Sequence, residues 1–349
     1  MSRSARTLLL VAASLALLAL IAGWVGFRAT AEAVRQAGFL AFAVIGLDLA
    51  ALLALQAWAW AALNRPIGHR VPYGSLASAV TVGMATNVLT PWSYLAGEPA
   101  KVLYAGRKTG LPYTELAGTV VLAKYLTALS FLLFFGLSTL VAALSFRTRL
   151  FHGPNLAAGL TLLVLAAGLL ALCLLLALAL VRRWCPLTWL VGGLARLGLA
   201  SGGLGRLRER AREMEHQVAR VFCEEGRTAL RAFALIALSH AVIFVKPALF
   251  FLLGGSARLT FAELSLLFVA GQALLAFQCT PSGAGTLEAV MLGVFALLNA
   301  GVASSQVMAY VLCMHCWDGI VVIVGAILAT RVGIRFLGGR SAARAEEAP

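Results

Sequence analysis

The sequence predicts an all-α polytopic membrane protein: an inverted-topology repeat of two halves, each with three transmembrane helices and one broken re-entrant segment. Three observations carry this. Of the 349 residues, 61% are hydrophobic and only 12% charged, far too apolar for a soluble domain of this size. Several apolar runs exceed about 18 residues, enough to cross a bilayer. Finally, one nine-residue pattern occurs twice, 190 residues apart, as TPWSYLAGE (Thr90 to Glu98) and TPSGAGTLE (Thr280 to Glu288). In both copies Pro follows Thr and Glu stands seven residues after the Pro. Pro and Gly break a helix, and lipid cannot satisfy the freed backbone groups. Broken segments at matching places in two halves are the best sequence pointer to a transport site.

Taken in order, a first spanning helix is expected at about 7–27, uncleaved, because Arg3 and Arg6 precede an apolar run that lacks a good cleavage site. A polar link, 28–38, and a second span at about 39–63 containing Asp48 follow. The loop NRPIGHR, 64–70, is basic. Residues 75–90 are apolar and lead into the first break, and GEPAKVLYAGRKTG after it is basic again. Spans are expected at about 116–145, with Lys124, and 155–181. Residues 185–227 are the sizeable polar stretch. Within it Leu204, Leu207, Ala211, Met214, Val218 and Val221 form one apolar stripe at helical spacing, opposite a charged face. This predicts a helix over 204–222 lying on the cytoplasmic lipid surface; a coiled-coil dimer is the alternative. A span at about 229–253 holds His240 and Lys246. Residues 261–279 lead into the second break, 289–301 form a short apolar piece, and a last span at about 303–330 carries His315 and Asp318. The chain thus reads as one membrane domain, 1–335, with halves at about 7–145 and 155–330 and a disordered tail, 336–349.

Orientation follows from Lys and Arg. With the N-terminus inside and each broken segment returning to its own side, 20 of the 28 basic residues are cytoplasmic, 5 outside and 3 within helices, a strong positive-inside bias. The 190-residue shift also lays the second span on the fifth and the third on the sixth, so the two halves face opposite ways. Full crossing by 261–279 is the alternative. Both termini are then cytoplasmic. The net charge of +14 holds that face against anionic lipid, and no nucleic-acid partner is expected. The six cysteines fall mostly in apolar helix and are expected as free thiols.

Charges at membrane depth are expensive. Asp48, Glu98, Lys124, Lys246, Glu288 and Asp318 would together cost on the order of 15 kcal/mol unpaired, so they must pair or face a wet cavity. Lys101 is a candidate partner for Glu98, and His315 or Asp318 for Glu288. Cys313-x-x-Cys316 has no second ligand pair for a metal, and Gly283, Gly285, Glu288 follow no strand, so they are no dinucleotide fingerprint. No cofactor is expected. No catalytic triad order, Walker loop or HExxH is present.

The pattern N-x-x-x-P-x6-E-P-x-K, here Asn87, Pro91, Glu98, Pro99 and Lys101, resembles the transmembrane domain family of lysylphosphatidylglycerol synthases, also described as flippase-like. The second signature of that family, a Pro-Ser-Gly-rich break followed by Glu, is matched by Pro281, Ser282, Gly283, Gly285 and Glu288. The resemblance covers about 7–335. It implies a basic residue after each motif in the next helix, a place taken here by Lys124 and His315. In well-known members this domain moves an aminoacylated lipid between leaflets and is joined to an aminoacyltransferase domain. No such domain is in this sequence, so lipid handling without lysyl transfer is implied.

The reading is a flippase-like protein of the inner membrane, handling a phospholipid or other lipid-linked head group. The breaks would form a polar site near mid-membrane, with Asn87, Pro91, Pro281, Ser282, Gly283, Gly285, His315 and Asp318 among its residues. Glu98 and Glu288 would bind a cationic or hydroxyl head group or accept a proton, meeting across one cavity, while Lys101, Arg107 and Lys124 hold the lipid phosphate. Two alternatives stay open: a membrane-embedded enzyme acting on a lipid head group, and a non-catalytic partner of a separate transferase.

Overall fold

The computed structural model describes residues 20–21, 23–68, 71–90, 96–146, 156–182, 225–255, 257–276, 281–298 and 301–334. Most of the expected first span, Pro91, the expected surface helix 204–222 and the tail 336–349 lie outside these. Among the described residues there is no strand. Helix α1 is Phe27–Asn64, α2 Tyr73–Leu89, α3 Gly97–Thr109, α4 Tyr113–Ser145 and α5 Leu156–Val181. Helix α6 is Gly226–Leu253, α7 Phe261–Ala276, α8 Thr286–Leu298 and α9 Ser304–Arg331.

Five of these, α1, α4, α5, α6 and α9, are long and apolar enough to cross a membrane. The chain is a multi-pass α-helical membrane protein. The other four are short. At 13 residues α3 and α8 reach only about 20 Å, against a hydrocarbon core of about 30 Å. They form the arms of the two broken segments, α2–α3 and α7–α8. Shifting α2, α3 and α4 by 190 residues starts them within two residues of α7, α8 and α9.

One expectation fails. Residues 28–37 are not a link but the first turns of α1, because AEAVRQA is good helix sequence and Glu32 pairs with Arg35 one turn on, at 2.9 Å. Polarity there marks exposure, not loss of helix. The break falls at Gly38, with φ 74°, a conformation that a residue without Cβ adopts freely.

In lipid, helices associate through close packing rather than exclusion from water, and small residues mark the tight crossings. Gly325 of α9 lies against Ala85 of α2, so that a Cβ there would strike the alanine's own. Gly46 of α1 makes room for the Trp317 ring, whose Nε1 donates to the Phe42 carbonyl at 2.9 Å. The packing is reciprocal between the halves: α1 lies along α6, α2 on α9, and α7 on α4. Aromatic side chains fill the second half, where Phe251 stacks edge-on with Phe295 at 5.0 Å and Phe250 meets Tyr310 at 5.1 Å. Around the first break Trp60, Leu76, Val80, Tyr104 and Leu116 form the matching core. There Trp60 Nε1 is satisfied by Thr119 Oγ1 at 2.8 Å. These two cores hold the broken segments against the middle of the bundle.

Candidate functional site

The first break is built by backbone crossing. The Asn87 side chain, near the end of α2, accepts the Gly97 N–H at 2.6 Å. That satisfies one of the open donors at the start of α3 and pins the two arms together. A Cβ at Gly97 would collide with the Gly83 carbonyl, so only glycine lets the arms approach this closely. Glu98 then falls in the first turn of α3, where the helix dipole favours a carboxylate. Its Oε1 meets Lys101 Nζ at 3.0 Å and Lys124 Nζ, from α4, at 2.7 Å. Two ammonium groups converge on one carboxylate.

The second break uses a left-handed turn. Among the described residues Ser282 is the one non-glycine with positive φ, 55°, and it is followed by Gly283 at 70° and Gly285 at 84°. A left-handed non-glycine residue costs about 1 kcal/mol or more and points to a constraint worth explaining. Here the turn turns the Ser282 hydroxyl toward α9, where it donates to Asp318 Oδ2 at 2.6 Å and lies 3.1 Å from His315 Nδ1. It also frees the Gly285 N–H, which donates to Glu288 Oε2 at 2.7 Å. The other oxygen of Glu288 is 2.8 Å from His315 Nε2. Glu288 is fully buried.

Between the breaks lies a cavity of about 320 Å³. Its charged wall consists of Asp48, Glu98, Lys101, Lys124, Lys246 and Asp318, three acids and three bases; Asn87, His240, Gln272 and Ser282 add neutral polar groups. Apolar side chains such as Leu52, Met84, Phe268 and Met291 make up much of the rest. Asp48 of α1 and Lys246 of α6 face each other at 3.6 Å, one residue before the helix-interior Pro247, which leaves a carbonyl of the preceding turn without its helical donor. Of the deep charges, Asp48, Glu98, Lys124, Lys246 and Asp318 line one cavity, where Asp48 pairs with Lys246 and Glu98 with Lys124, as their insertion cost requires. Beside it, Ser130 Oγ and His240 Nδ1 are 2.9 Å apart.

The residues singled out from sequence are only partly brought together. Asn87, Glu98, Lys101, Lys124, Ser282 and Asp318 line the cavity. His315 stands behind Ser282 and Asp318, and Gly283 and Gly285 supply backbone geometry. Pro281 opens the 3-10 turn. Two expectations are corrected. Glu288 does not line the cavity, so the carboxylates do not meet across it. Each is held within its own half, Glu98 by lysines and Glu288 by His315 and the Gly285 N–H. Arg107 is not on the wall either. Its Nη1 caps the end of α9, donating to the carbonyls of Val332 at 3.3 Å and Gly333 at 2.8 Å, a favourable place for a cation at a helix C-terminus.

The pairing of Asp48 with Lys246 and the presence of Gln272 on the wall escaped the sequence reading. No local spacing links residues nearly 200 positions apart; the 190-residue shift, which lays α1 on α6, was the signal that could have placed them side by side. No group of three or more His, Cys, Asp or Glu among the described residues is arranged to hold a metal ion. A family model described as the lysylphosphatidylglycerol synthase TM region matches residues 9–325. No curated protein matches the chain.

Proposed function

The chain belongs to the lysylphosphatidylglycerol synthase transmembrane-region family, and from that premise we propose that it is a flippase-like protein that carries a phospholipid or other lipid-linked head group across the bacterial inner membrane. The observation that supports this most is the cavity: six charged side chains from five helices line it, in a bundle whose outside is apolar. A charged wall inside a membrane bundle marks a substrate path by default. The two ammonium groups at Glu98 suit a lipid phosphate, and Asp48 and Asp318 suit the cationic or hydroxyl part of a head group. Apolar stretches of the wall suit the first carbons of the acyl chains. No soluble reactant is needed for such a role, and the reading assigns no chemistry to the chain.

The reciprocal packing of α2 on α9 and α7 on α4 supports an inverted repeat, in which the breaks open from opposite sides. In this reading both termini are cytoplasmic, the stretch 204–222 meets anionic lipid at that face, and a separate transferase would supply any modified lipid. Cysteines placed at Lys108 and Leu150 in a cysteine-free background then label from opposite faces; labelling from one face would sink the inverted arrangement. The activity itself is tested by leaflet-resolved lipid analysis of a deletion strain, together with dithionite quenching of NBD-labelled phosphatidylglycerol in vesicles carrying the purified protein. An unchanged leaflet distribution, with quenching no faster than in protein-free vesicles, would end the proposal.

A further inference from the structure

The second break contains a hydrogen-bonded series of which the lipid-binding reading uses only Asp318, at its cavity end. It runs from the cavity wall at Asp318 through Ser282 and His315 to the buried Glu288, with separations of 2.6, 3.1 and 2.8 Å. Three hydrogen bonds need three protons. With both carboxylates ionised and the imidazole neutral, the series supplies only two, one from the Ser282 hydroxyl and one from the ring. Making all three separations hydrogen bonds at once takes one proton more. A buried carboxylate with no cation but an imidazole beside it is also the place where an added proton removes an unfavourable charge.

The geometry points to a proton-binding site at Asp318–Ser282–His315–Glu288, loaded from the cavity, that couples protonation to the position of the second broken segment; this rests on the lipid-carrier reading above. In the unloaded series Ser282 donates to His315 Nδ1, Nε2–H donates to Glu288, and Asp318 is an ionised carboxylate on the cavity wall. A proton arriving at Asp318 is handed to Ser282 Oγ as the hydroxyl proton passes to Nδ1 and the Nε2 proton passes to Glu288. Asp318, Ser282 and His315 each receive one proton and give one, and Glu288, which keeps the last, ends as the acid. Only O–H and N–H bonds change.

Loading adds the third bond, the one from Ser282 to Asp318, so that the left-handed residue of the turn, φ 55°, is held to α9 through two side chains instead of through His315 alone. Unloading releases one of these two ties and so loosens the second broken segment against α9. The groups that face the series are few. Lys246 on α6 acts on Asp318 from across the cavity while paired with Asp48 on α1. Helix α2 presents no charged residue, α8 none besides Glu288, and the single acid of α7, Glu263, is taken up at the start of its own helix by Thr260 at 2.7 Å. On α9 the other titratable groups are Tyr310, Cys313 and Cys316, with Arg331 at its far end.

The test uses the full chain in phosphatidylcholine and phosphatidylglycerol vesicles. Nitrogen-15 NMR of histidine-labelled protein, with His315 assigned by H315N, follows both ring nitrogens from acid to alkaline conditions, and infrared spectroscopy follows the carboxylic-acid carbonyl band over the same titration. The expected result is that His315 and one carboxylic acid change together in the native chain. In S282A, which keeps every titratable group, that joint transition moves or splits in two. In D318N it moves as well, so the test does not rest on S282A alone. A transition unmoved by both S282A and D318N overturns the site. A second arm imposes a pH gradient and follows NBD-labelled phosphatidylglycerol. If the lipid moves but its rate ignores the direction of the gradient, the coupling is wrong while the carrier reading stands. If the lipid does not move although the joint titration shifts in S282A, the carrier reading fails and the proton site remains.

Discussion

The two broken segments share an outline and differ in backbone device and in chemistry. Both interrupt an apolar helix pair, and both place Glu in the first turn of a 13-residue helix. At the first break, however, the partners of Glu98 are two lysines. At the second the partners of Glu288 are an imidazole and a backbone N–H, with the Ser282 hydroxyl on the far side of the imidazole. The first break gathers amines around its carboxylate. The second gathers a hydrogen-bonded series. Repetition of a fold element therefore does not imply repetition of a role. The 190-residue shift takes Lys124 to Met314, next to His315, and Lys101 to Met291, so neither lysine has a cationic counterpart at its own place in the repeat.

The largest expected effect breaks this comparison directly. Glu98→Gln strands Lys101 and Lys124 without their carboxylate. Removing one partner of a buried ion pair costs about 3–5 kcal/mol, and the lower end applies because Lys124 is 30% exposed. Glu288→Gln keeps an oxygen for the Gly285 N–H and an amide near His315, so about 1–2 kcal/mol is expected. Thermal unfolding in detergent reads both, and equal losses would mean the two sites are alike after all. Lipid movement in reconstituted vesicles should be abolished by Glu98→Gln.

Next comes the backbone. Gly97→Val drives a side chain into the Gly83 carbonyl and should cost about 3 kcal/mol, the upper part of the overpacking range. Gly293→Val, in the corresponding arm of the second break, meets open space and should leave the unfolding temperature almost unchanged. If the second substitution is as harmful as the first, both breaks depend on close crossing and the contrast disappears.

Smaller still is Ser282→Gly. It relieves a left-handed residue, a gain of about 1 kcal/mol, and removes two hydroxyl bonds, each worth about 1 kcal/mol net. Stability should shift by no more than about 1 kcal/mol, while the link between His315 and Asp318 is cut. A unit of activity lost with stability kept identifies the hydroxyl as functional; a large drop in unfolding temperature instead would make Ser282 a structural residue of the turn.

The class of fold was legible because lipid imposes it. Long apolar runs, charges too costly to leave unpaired and a doubled Pro-containing motif all follow from the same solvent, and the five spanning helices that lie within the described residues fall where those runs are. The pairing of Glu98 with Lys101 was legible as an i,i+3 spacing, and Glu288 with His315 from the repeat. The bond from Asp48 to Lys246 was not, because it depends on how α1 lies along α6. Nor could sequence place Glu288 behind the cavity wall. That position is set by the φ of Ser282, and serine seldom adopts it, so nothing local announced the turn. The polar stretch 28–37 misled for the opposite reason: its charges pair along one helix face instead of interrupting it.

Arg107 gives the smallest effect and the sharpest division between fixed charges that bind and fixed charges that cap. From sequence it belongs with Lys101 and Lys124, three basic residues close after one motif. In the fold it leaves them, because α3 carries Lys101 in its second turn and Arg107 in its last, on the far side of the short helix from the break. There its guanidinium holds the Val332 and Gly333 carbonyls. Exposed capping of this kind contributes under about 1 kcal/mol. Arg107→Ala should therefore lower the unfolding temperature slightly and leave NBD-lipid movement at the native rate, and raised salt should mimic the small loss by screening. Lys101→Ala should abolish movement under the same conditions. If instead Arg107→Ala stops lipid movement with stability intact, the phosphate site extends to the end of α3, and the division of charges between site and scaffold drawn from the geometry is wrong.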